Sequence, residues 1–93
     1  MTSPDTLGLL EESRQLARDL GYCVREEPLG ELPGGPCAIG GTPQILLNLE
    51  HPPGERLDRL VRVLATDPAA FTQPMSKLLA ARLHAAVGDE PAP

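Results

Sequence analysis

The chain reads as an α+β domain of order α-β-β-β-α-α, a three-stranded antiparallel meander packed with three α-helices. Three observations predict this. Apolar residues recur at helical spacing in three separate stretches, Leu9 to Leu20, Leu57 to Leu64 and Met75 to Ala86. Short runs of strand character lie between the first two, and a Gly40-Gly41 pair folds two of them into a hairpin. Ninety-three residues, 41% of them apolar, make one domain near the lower limit for a self-sufficient core.

In chain order, Ser3-Pro4 signals a helix start, because the serine oxygen accepts from an unpaired N–H and proline fits the first turn. Leu9, Leu10, Leu16, Ala17 and Leu20 then share helical spacing, with Glu11, Glu12, Arg14, Arg18 and Asp19 on the other side. Gly21 ends this helix through its freedom at positive φ. Tyr22 to Glu27 reads as the first strand, Pro28 to Gly35 as a loop and Cys37 to Gly40 as a short second strand. After a turn at Gly40-Gly41-Thr42-Pro43, the third strand is Gln44 to Leu49. It sets Ile45, Leu47 and Leu49 on one face and Gln44, Leu46 and Asn48 on the other.

The second helix follows the break at His51-Pro52-Pro53-Gly54 and buries Leu57, Leu60, Val61 and Leu64 before ending near Ala65. Glu55 with Arg59 and Asp58 with Arg62 are i,i+4 pairs in the favourable order. Asp67-Pro68 starts a short helical turn through Phe71. Thr72-Gln73-Pro74 opens the third helix, which reaches Val87 with Met75, Leu78, Leu79, Leu83 and Ala86 apolar and is closed by Gly88. The domain is thus expected over residues 1–88, with a flexible tail at 89–93. The first two helices are expected to cover one sheet face, leaving Leu46, Ala38 and Cys23 or their neighbours on the other. The third helix must bury its stripe on the domain or on a second copy, so self-association is an expectation drawn from core size.

Charge narrows the function classes. The net charge is −5, from 13 acidic against 8 basic residues, and the chain holds one Phe, one Tyr and no Trp. Nucleic-acid binding rests on cations at phosphates and aromatic stacking, so neither nucleic acid nor, without a long apolar run, a membrane is an expected partner. No signal-like start is visible, which points to a cytoplasmic protein with Cys23 and Cys37 reduced.

Chemistry-bearing patterns are sparse. Cys23, Cys37, His51 and His84 are spaced too irregularly for a zinc finger or ribbon, so no metal or other cofactor is expected. Ser3, Ser13 and Ser76 lie at helix starts or on helix faces, outside any G-x-S-x-G elbow. Cys37 lies in a strand rather than at the helix start that activates a thiol. The adjacent carboxylates Glu11-Glu12 and Glu26-Glu27 point apart, and the two Gly-Gly pairs read as turns rather than phosphate cradles. The remaining sharp feature is Arg56, Arg59 and Arg62, which drift about 60° per step and form a slanting row on the second helix.

The LARDLGYCVR segment, ILLN at 45–48, Pro53 and the ERLDRL helix start together resemble the core of ImmA/IrrE-type zinc peptidases over residues 14–65. In that family this helix carries HExxH, two zinc-binding histidines with a water-activating glutamate. Here the corresponding residues, VRVLATDP at 61–68, contain neither His nor Glu, so the resemblance implies a non-catalytic relative. The chain is also similar to short bacterial proteins with a G-G-x-C-x-(I/V)-x-G hairpin, matched by residues 34–41.

The resulting expectation is a non-enzymatic interaction or adaptor module that binds a protein partner or itself. Its expected contact residues are Arg56, Arg59, Arg62, Leu46, Leu78 and Leu79. The alternative is a small enzyme, or a ligand or metal binder, using Cys23, Cys37 or the histidines.

Overall fold

The computed structural model describes residues 4–88; the Ser3 cap and the tail at 89–93 lie outside the described residues. The order is helix α1 (Pro4–Asp19), strands β1 (Cys23–Glu27), β2 (Gly35–Ile39) and β3 (Thr42–Asn48), and helix α2 (Pro53–Ala65). A 3-10 helix (Pro68–Thr72) and helix α3 (Lys77–Gly88) follow. The class and element order are those the sequence predicts. The sheet topology is not.

The sheet is mixed, in the order β1-β3-β2. β3 lies in the middle, antiparallel to β2 and parallel to β1, where Cys23 pairs with Gln44 and Glu27 with Asn48. The antiparallel meander is therefore corrected at β1. Instead of turning back beside β1, the chain crosses the end of the sheet through residues 28–34 and returns as the far edge strand.

A buried side chain holds that crossing. Asn48, 1% exposed, accepts the backbone N–H groups of Leu29 and Glu50 on Oδ1, each at 3.0 Å. Its Nδ2 donates to the carbonyls of Gly30 and Leu32, each at 2.9 Å. Strand alternation marks Asn48 only as an outer-face residue. The fold uses it to satisfy backbone groups of a segment that has no strand to pair with. The crossing ends at Gly34, whose φ is +79°; a Cβ there would lie 2.5 Å from the carbonyl oxygen of Leu46. Glycine alone permits that approach.

Local chemistry explains the other boundaries. Gly21, at φ +96°, donates to Arg18 while Tyr22 donates to Ala17, the paired bonds of a Schellman helix end. Ile39 opposes Thr42 across Gly40 and Gly41, both at positive φ, as a two-residue hairpin of the I′ type demands. β3 stops at Asn48, so Leu49, expected in the core, is 47% exposed instead. Ala38 pairs with Pro43, on the same side as Ile45, so it does not join the outer face; Cys37 takes that place beside Gln44.

Ile45 and Leu47 are fully buried beneath the helices, with Leu10, Leu57, Leu60, Leu64, Leu79 and Leu83 completing the centre of the core. Each such leucine contributes about 1.5–3 kcal/mol through burial. Ser13 is buried among them because its hydroxyl donates to the Leu9 carbonyl at 2.7 Å. α3 packs within the chain, against α2 and α1. It begins three residues after the expected Pro74, at Lys77, because Ser76 is the cap: its Oγ accepts from Leu79 N–H at 3.2 Å. Glu12 of α1 in turn accepts from Ser76 N–H at 2.7 Å and Ser76 Oγ–H at 2.6 Å.

Candidate functional site

The arginine row of α2 does not act as one unit. Steps of three residues turn Arg56 and Arg62 about 120° apart around the helix. Arg56 consequently leans under the helix layer, its side chain 14% exposed, and donates to Glu26 Oε2 at 3.1 Å. Arg14 of α1 meets the other oxygen of the same carboxylate at 2.5 Å and also pairs with Glu11 at 2.7 Å. Glu26 thus joins α1, β1 and α2, and Arg56 serves as a structural tie rather than an open contact.

Arg59 and Arg62 face outward. The expected Glu55–Arg59 pair is not formed: Glu55 lies 3.7 Å from His51 Nδ1, and among the described residues Arg59 has no carboxylate partner. The expected Asp58–Arg62 pair is formed, at 3.0 Å. Arg59 and Arg62 line a shallow groove of about 260 Å³ between α2 and the start of β2, with Val63, Pro36 and Thr66. Arg62 also borders a second hollow, between α2 and α3, where Val61, Ala85 and Ala86 meet Arg82 and Asp58. Arg82, like Arg59, pairs with no carboxylate among the described residues.

The result is a face with a mainly apolar groove on one side of Arg62, a mixed hollow that also holds the Asp58 carboxylate on the other, and three guanidiniums at their rims. Sequence reasoning missed Arg82, because only the packing of α3 on α2 brings it beside Arg62. Its one signal was a position on the polar side of an otherwise apolar helix.

The remaining expected contact residues lie elsewhere. Leu79 is fully buried, so of the Leu78-Leu79 pair only Leu78, 57% exposed, reaches solvent. Leu46 is half-buried on the outer sheet face, in a hollow with Leu29, Leu32, Pro33 and Cys37. The register also places Cys23, Gln44 and Cys37 side by side on that face. Two strand spacings of about 4.8 Å separate the cysteine backbones, beyond the reach of a disulfide. Both are free thiols.

The histidines are apart from these groups: His51 contacts Asn48 and Glu55, while the His84 ring packs on Phe71 with centroids 5.1 Å apart. Among the described residues no three His, Cys, Asp or Glu side chains are gathered to hold a metal ion, and no helix is long and apolar enough to cross a membrane. No family model matches the chain, and neither the curated proteins nor the solved structures contain a significant match to it.

Proposed function

We propose that this chain is a small non-catalytic interaction module that docks an acidic protein partner on the arginine-bearing face of α2. The charge imbalance of that face carries the reading. Among the described residues Arg59 and Arg82 pair with no carboxylate and Arg62 pairs with Asp58, on a chain whose net charge is −5. An acidic partner is repelled by most of such a molecule and held only where the arginines gather, which fixes its orientation on approach. The planar guanidinium then offers two parallel donors to each carboxylate. The resemblance of residues 14–65 to a zinc-peptidase core without HExxH supports the non-catalytic part of the proposal. Self-association belongs to the same proposal as one form the acidic partner takes, since a second copy is itself acidic.

The test compares immobilised wild type with the Arg59→Glu/Arg82→Glu variant, both shown to be folded by their thermal melts, at about 50 and 500 mM salt. The expected result is an acidic polypeptide, or the chain itself, retained by wild type, released by salt and lost at least tenfold from the variant. An identical set of retained proteins on both would overturn the proposal.

A further inference from the structure

We infer that the face around Arg62 takes a short extended segment in which aliphatic side chains alternate with clusters of acidic ones; this rests on the arginine-face reading above and names the chemistry of its ligand. A purely electrostatic patch would be flat and polar. This one is not. The groove against β2 has Val63 and Pro36 in its walls and is mainly apolar, while the hollow against α3 sets Val61, Ala85 and Ala86 among Asp58, Arg62 and Arg82. The carbon-lined groove rewards an aliphatic side chain, while the rim arginines reward a carboxylate on either side of it.

The free edge of β2 offers little main-chain pairing to an occupant. Pro36 has no N–H, so its pairing with Ile45 is the non-hydrogen-bonded kind. Alternation then turns Gly35, Cys37 and Ile39 toward β3 and leaves Ala38 as the free-edge residue with an N–H to offer. Two copies of β2 edge to edge would make few main-chain bonds, so the occupant is held by its side chains. The segment is short. Crossing one helix, about 10 Å wide, takes three or four extended residues at about 3.3 Å each.

The probe is a blocked octapeptide, Glu-Leu-Asp-Glu-Asp-Leu-Glu-Asp, labelled for fluorescence anisotropy and titrated with the 93-residue chain at low salt. Its counterpart carries Ser at both Leu positions, and a single-stranded 12-nucleotide oligonucleotide supplies acid without side-chain apolarity. The expected order is leucine peptide tightest, serine peptide at least fivefold weaker and oligonucleotide weaker still. Arg62→Ala, an exposed substitution, is expected to weaken the leucine peptide at least fivefold.

Equal binding of the two peptides would overturn the aliphatic assignment and leave the arginine-face reading standing. No binding by either peptide would overturn both. Tighter binding of the oligonucleotide would overturn both in favour of a nucleic-acid surface.

Discussion

At the scale of single residues, two side chains, Asn48 and Tyr22, tie distant parts of the chain together. Asn48 satisfies four backbone groups of the crossing and the turn after β3. Asn48→Ala removes four hydrogen bonds at a part-buried place, each worth about 0.5–1.5 kcal/mol net. With partial relief by water, the expected loss is about 3 kcal/mol, a fall in Tm of about 12 °C or more for a domain this size. Urea or thermal unfolding measures it, and a loss under about 0.5 kcal/mol would contradict the role given to Asn48. Tyr22 supplies a pH prediction. Its hydroxyl donates to Asp67 Oδ2 at 3.0 Å, and its pKa is raised from 10.0 by burial first and then by the Asp67 hydrogen bond and charge. A group that holds its proton more tightly when folded adds stability below its ordinary pKa and loses it as pH climbs through the folded value. Stability should therefore decline above about pH 10, and more steeply in wild type than in Tyr22→Phe. Parallel declines for the two proteins in alkaline urea titrations would contradict it.

At the scale of elements, the sequence carried whatever depends on near neighbours in the chain. The stripe Leu57, Leu60, Val61 and Leu64 is buried as its spacing implies, and Gly21 and Gly40-Gly41 occupy the turns their φ freedom suits. What depends on distant pairing was not legible. Strand alternation is the same for a parallel and an antiparallel neighbour, so nothing in Tyr22 to Glu27 reveals that β1 runs alongside β3 in the same direction. The asparagine in an otherwise apolar strand end was the available hint, since asparagine is uncommon there without a specific bond to make. The third helix shows the same divide: its stripe is visible in the sequence, its docking within the chain is not. Leu83, fully buried between α3 and the core, tests that docking. Leu83→Ala should cost about 2–5 kcal/mol at a constant sedimentation mass. A stability that falls on dilution in wild type would instead place α3 between copies.

At the scale of the whole molecule, the helices cover one sheet face, and the positive character of the surface concentrates on the α2–α3 side. The arginine row was visible in the sequence, but its division was not. Helical drift sends Arg56 inward to Glu26, leaves Arg59 and Arg62 outside, and the packing of α3 adds Arg82. Two open surfaces then compete for a partner: the arginine face, and the outer sheet face around Leu46 and Cys37. Backbone chemical-shift mapping by NMR, with an acidic partner or the leucine octapeptide added to the labelled chain, separates them most directly. The expected shifts are confined to Arg59, Arg62, Val63 and Thr66 on and just after α2, Arg82 and Ala85 on α3, and Gly34 and Gly35 at the entry to β2. Shifts centred instead on Leu32, Cys37 and Leu46 would contradict the arginine-face reading.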